Sequence, residues 1–195
     1  MVRNKELEPR PEIKRFSEEA RTALAKEGYV IYELTGRSLI SLMIEVGEPF
    51  DYEIWEREYP QFMTKTSMIC EVAINPSNVR LEGSDNKTLE QQLSLIAAFS
   101  AEISERINGV EAVMGDAADY AELIAIHYFR TKKMLFVGVD GTRFQAVTKT
   151  RISRETHIAN VGHIGFFPPR PSILVTGGIG DGSHGFFAVP LIVPK

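Results

Sequence analysis

Along the first 133 positions, apolar residues recur mostly at helical spacing, interrupted by short β-rich runs. Ile13, Phe16, Ala20 and Leu24 fall at i, i+3, i+7 and i+11. They place one apolar stripe on a helix that opens near Pro11 and closes at Gly28. Tyr29 to Leu34 is a strand by composition, and Thr35-Gly36 turns the chain. Ser38 to Val46 is so apolar that periodicity does not separate a buried helix from a strand. Residues 67–74 read as a further strand, stopped by Asn75-Pro76-Ser77-Asn78. After the polar loop Gly83–Lys87, Thr88 and Gln91 have the form of a capping box. Behind it Leu89, Leu93, Ile96, Ser100, Ile103 and Ile107 form a stripe that predicts a long helix with Leu93 and Ile96 in the core. Asn108-Gly109 closes that helix. Asp116, with Asp119 three residues on, opens another, which carries Tyr120, Leu123, Ile124, His127 and Tyr128.

Beyond Lys133 the pattern changes. Met134 to Val139, the Asp140-Gly141 pair and an alternating run to Ile152 give a hairpin signal. The segments 156–167, 172–176 and 186–193 are β-branched and aromatic, punctuated by Gly and Pro. The expected class is α+β, with a helix-rich N-terminal two-thirds, to about residue 133, packed on a C-terminal antiparallel β-sheet or small barrel over 134–195. Residues 1–10 are expected to be a short flexible arm and 11–195 a single domain.

Composition narrows the function classes. A chain of 195 residues with 44% apolar and 25% charged positions is ordinary for a globular protein. It excludes collagen-like repeats and wholesale disorder. A formal charge of −4 is too mild to announce a polyanion-binding protein. Cys70 is the lone cysteine, so no internal disulfide forms, and its apolar setting predicts a small buried hydrophobe rather than a nucleophile. No apolar signal core and no bilayer-length apolar run occurs, so a cytoplasmic protein with no membrane contact is expected.

Three constellations carry candidate chemistry. In the glycine-rich run Gly177–Gly185, Gly180, Gly182 and Gly185 match G-x-G-x-x-G. Phe-Phe-Ala-Val-Pro follows, which cannot open the helix that a pyrophosphate site needs, so a strand connection is expected instead. The histidines form the second constellation. His157, His163 and His184 lie in the β-rich third near Glu155 and Asp181, yet without H-x-H or H-E-x-x-H spacing, so neither a metal nor a cofactor is assigned. Charge segregation is the third. Residues 130–154 hold seven bases and one acid, and residues 45–58 hold six acids and one base.

Three functions follow from these features. The first is a non-enzymatic binding or interaction module that meets a protein partner through the aromatic-acidic segment 45–62, where Tyr52, Trp55, Tyr59 and Phe62 share a helical face. The second is a small hydrolase-like or metal-dependent enzyme in the C-terminal β region. For that site the ligand-binding candidates are Arg151, Arg154, His157, His163, Asp181 and His184, with histidine for proton transfer and arginine for an anionic substrate. The third is weak nucleic-acid binding through the basic hairpin 130–154. It is the least expected, because no aromatic alternates with Arg143, Lys149 and Arg151 on their strand face.

Overall fold

The computed structural model describes residues 12–46, 50–51, 63–137, 144–151, 157–162, 173–179 and 185–195. Its elements in chain order are α1 (Glu18–Lys26), β1 (Val30–Thr35), α2 (Leu39–Val46), β2 (Phe50–Asp51), β3 (Ile69–Ile74), α3 (Leu89–Arg106), β4 (Val110–Met114), α4 (Ala117–Thr131), β5 (Gln145–Arg151), β6 (His157–Gly162), β7 (Ile173–Ile179), β8 (Phe186–Phe187) and β9 (Pro190–Pro194). They form a four-stranded sheet in the order β1-β3-β9-β4 and a five-stranded sheet in the order β2-β7-β6-β5-β8. The four-stranded sheet is antiparallel. The five-stranded one is antiparallel at its centre, with β2 and β8 paired parallel at its edges.

The α+β class holds, but helices and strands are not segregated along the chain. Strands β1 and β3, read as strands in the sequence, and β4, which is not, join the last strand, β9, which inserts between β3 and β4. The expected helical body stacked on a C-terminal sheet is therefore corrected. The pairing of β9 with strands far back in the chain has no local signature, and Val110–Met114 is too short to declare itself by periodicity.

Alternation then builds two cores on the two faces of the four-stranded sheet. Tyr32, Leu34, Cys70, Val72, Ile74, Leu191 and Val193 point to one side, where α2, α4 and the five-stranded sheet meet them. Ile31, Ala73, Ala112 and Ile192 point to the other, toward Phe16, Ala20 and Leu24 and toward Ile96 and Ile103 of α3. Helix α4 is thus enclosed between two sheets, which explains why Ala117 through Ala125 is buried without a break.

Proline sets the strand pairing of β9. Ala112 N–H donates to Ser100 Oγ (2.8 Å) and Ser104 Oγ donates to the Val110 carbonyl (2.8 Å), so these β4 groups face α3 and away from β9. The antiparallel pattern then turns Pro190, Ile192 and Pro194 toward β3. Neither proline has an N–H to give, and β9 registers with β3 only at Ala73↔Ile192.

Local details depart from the sequence pattern in two helices. Helix α1 starts after Ser17, whose hydroxyl accepts the Ala20 N–H at 3.2 Å, and not near Pro11. Residues 13–16 run extended beside β3 instead, with the Lys14 carbonyl accepting Glu71 N–H at 2.8 Å. In α3 the capping box forms and Ile96, Ile103 and Ile107 are buried as expected, but the first turns depart from the stripe. Gln92 is buried while Leu93 is 39% exposed. The Gln92 amide donates to the carbonyls of Ser84, Lys87 and Phe186, and those bonds turn residue 92 inward. Ser38–Val46 resolves as helix α2.

The two arms of the expected hairpin meet where Phe144 N–H donates to the Phe136 carbonyl at 3.3 Å. Strand β5 pairs with β6 and β8, and the Asp140-Gly141 turn lies outside the described residues. Gly177 and Gly178 belong to β7, opposite Ala159 and Ile158, so the glycine-rich run begins inside a strand. Of the expected basic face, Arg143 lies outside the described residues. Gln145 and Val147, which share its parity, are buried, and Lys149 is held 3.6 Å from Asp116.

Truncating Ile96 and Leu93 separates the two faces of α3. Ile96→Ala is expected to cost about 2–5 kcal/mol in chemical denaturation and Leu93→Ala less than about 1 kcal/mol. Equal losses would place the buried face where the sequence stripe put it.

Candidate functional site

Of the six residues assigned to a C-terminal site, the described structure places two on its backbone. Arg151 closes β5 and His157 opens β6, with Arg151 registered against Ile158 and His157 against Ile179 at the end of β7. They stand at one end of the five-stranded sheet. Arg154, His163, Asp181 and His184 lie outside the described residues, as does most of the aromatic-acidic segment 45–62. From that segment the described pair is Glu45 with Arg37, at 3.2 Å.

The described chemistry is concentrated on α4. Its sequence puts Asp116, Asp119 and Glu122 three residues apart along the first turns, facing the residues around β1 and β3. Glu122 is fully buried and accepts from Thr35 N–H (3.2 Å), Thr35 Oγ1 (2.8 Å) and Ser67 Oγ, with Arg37 Nε at 3.8 Å. Asp119 accepts Met68 N–H at 2.7 Å and Asp116 N–H at 2.6 Å. Burial raises its pKa above the ordinary carboxylate value, against the pull of those two N–H groups. Asp116 is nearer the surface. Burial pushes its carboxyl up, but bonds from Lys65 (2.8 Å) and Thr150 (2.9 Å) and the charge of Lys149 outweigh burial, so it lies below the ordinary value. Gly115, just before this turn, is required by space: a Cβ there would sit 2.7 Å from Leu191 Cδ1.

Other buried groups are similarly engaged. Glu71 accepts Phe16 N–H (3.0 Å) and the guanidinium groups of Arg15 and Arg21, and this anchors the extended segment 13–16. Tyr120 OH donates to the Val189 carbonyl and accepts Gly115 N–H at 3.0 Å. The Cys70 thiol is pushed up to about 11, first by burial and then by Asp119, which keeps it protonated as its apolar sequence context predicts. Among the described residues no group of His, Cys, Asp and Glu is arranged to hold a metal ion. In the same set no helix is long and apolar enough to cross a membrane.

The far end of α4 is different in kind. His127 is buried, with Nδ1 2.7 Å from Tyr32 OH, and burial followed by the Lys133 charge lowers its pKa. Arg130 lies 5.3 Å over the Tyr32 ring and donates to the Ile31 carbonyl at 3.2 Å. Phe129 is 51% exposed. The Lys132 ammonium sits 5.3 Å from its ring centroid and 5.6 Å from that of Tyr128, and Lys132 itself takes the left-handed conformation (φ 58°) that ends the helix. Lys133 is exposed beside them. The sequence stripe through Tyr120, Ile124 and His127 leaves Phe129 on the opposite face, and that phase was the signal that could have marked it.

Comparison of the chain with protein-family models, with curated proteins and with solved structures finds no match.

Two outcomes follow for α4. Glu122→Ala leaves Thr35 N–H without its acceptor, and a loss of about 1–3 kcal/mol in denaturation is expected for that buried donor alone. His127 titrates in the opposite sense from a paired histidine. Its folded-state pKa lies below the unfolded value of about 6.5, so the unfolded chain takes up the proton first. Stability is complete above pH 6.5 and declines as pH falls toward the folded pKa. Melting curves between pH 7.5 and 5 should show this decline, and His127→Gln should reduce it.

Proposed function

We propose that the chain is a non-enzymatic binding module whose contact surface is the C-terminal end of α4. One observation carries this: Phe129 stands half-exposed at the helix end with the Lys132 ammonium over its ring, and Arg130 and Lys133 follow it closely in the chain. An exposed aromatic ring bracketed by cations gives both contact area and charge selectivity, the features that mark binding hot spots. The engaged state of Glu71, Asp119, Glu122 and His127 agrees with it, since each is bonded to neighbouring backbone or side chains in a way that builds the fold. The surface takes in the first three bases of the cationic run 130–154. Segment 45–62 remains a second proposed partner surface on sequence grounds.

A second function, a small hydrolase-like or metal-dependent enzyme, is favoured by the placement of Arg151 and His157 at one end of the five-stranded sheet. A thermal-shift screen over divalent metals and phosphorylated metabolites tests it. A ligand shift abolished by His157→Ala would establish that site.

For the binding module, affinity for mixed-sequence RNA and DNA is expected to be no tighter than about 10⁻⁶ M at physiological salt, the range of unspecific backbone contacts. Fluorescence titration at two salt concentrations measures this. Nanomolar nucleic-acid binding would replace the proposal with a nucleic-acid protein.

A further inference from the structure

Resting on the binding-module reading, we infer that the end of α4 takes an acidic peptide segment bearing an aromatic or large aliphatic side chain. Charge selects the class. Arg130, Lys132 and Lys133 lie within four residues at this surface, and no acid interrupts them. Geometry then separates a peptide from a nucleic acid. A base stacks on a whole ring face, and the Lys132 ammonium, 5.3 and 5.6 Å from the centroids of Phe129 and Tyr128, already occupies one face of each. What remains open on Phe129 is ring area for a hydrophobic contact beside cations that pair with carboxylates. The chain as a whole carries −4, which repels an extended polyanion but costs little against a few local carboxylates.

The mode of contact is also constrained. Strand β1 is the outer strand of its sheet next to this surface. Its Ile31 carbonyl is occupied by Arg130 and its Thr35 N–H by Glu122, so side chains of α4 cover both ends of that edge. A partner strand extending the sheet would have to displace both. The peptide therefore docks through side chains, and Arg130 serves to block the edge while Phe129, Lys132 and Lys133 make the contact.

A labelled synthetic peptide reproducing residues 45–62 of this chain is a suitable probe. It carries a formal charge of −5 together with Tyr52, Trp55, Tyr59 and Phe62. Fluorescence anisotropy with the full chain should show binding that weakens as salt rises from 50 to 500 mM. It should weaken by about tenfold or more in Lys132→Glu/Lys133→Glu, and also in Phe129→Ala, whose half-exposed ring makes unfolding no concern. A peptide with all acids changed to their amides should lose binding to a similar degree. Single-stranded RNA that binds more tightly than the peptide and responds to the same substitutions would overturn the peptide assignment while keeping the surface. If neither probe responds to these substitutions, the surface itself is not a binding site and both proposals fall.

Discussion

A helix enclosed by two sheets has no solvent to satisfy its polar side chains, and α4 carries Asp119, Tyr120, Glu122 and His127 in that position. Each buried polar group must find a partner or cost roughly 1–3 kcal/mol. The partner of His127 is the Tyr32 hydroxyl, and the others find loose backbone groups of the neighbours: Thr35 at the end of β1, Met68 just before β3, Gly115 at the turn out of β4 and Val189 just before β9. Polar residues that would weaken an isolated core helix thus fix where the four-stranded sheet sits against it. Serines of α3 do the same along β4, so both edges of that sheet are closed by helix side chains. The fold is organised by helices that satisfy strand edges as well as by apolar burial.

That organisation was only partly legible in the sequence. The capping box at Thr88 and Gln91, the strand read over 67–74 and found as Ile69–Ile74, and the helix after Asp116 are local signals, and the structure forms each of them. What periodicity misplaced was decided by distant partners. Leu93 lost its core position to Gln92 because carbonyls of Ser84, Lys87 and Phe186 draw the amide inward. Ile13 and Phe16 left the helical stripe because Glu71, more than fifty residues away, collects Phe16 N–H and two arginines. The position of β9 depends on a pairing that no local window contains.

The candidate chemistry shows the same division. The histidines drew attention because imidazole is scarce and versatile, whereas the exposed ring at Phe129 is one aromatic residue in an apolar helix. Its meaning comes from being out of phase with the buried stripe and from Lys132 folding back over it at the helix end. Asp116, Asp119 and Glu122 are spaced by three along the start of α4. In three dimensions their oxygens are taken by Met68, Thr35, Ser67, Lys65 and Thr150, which makes them structural.

Native-state hydrogen exchange tests the central claim most directly, because the amides of Thr35 and Met68 owe their protection to carboxylates of α4 rather than to strand partners. If those carboxylates hold the sheet to the helix, both amides exchange as slowly as the core strands and only through global unfolding. They should then lose protection selectively in Glu122→Ala and Asp119→Ala respectively. Exchange at the rate of exposed loops, with β3 still protected, would contradict the account.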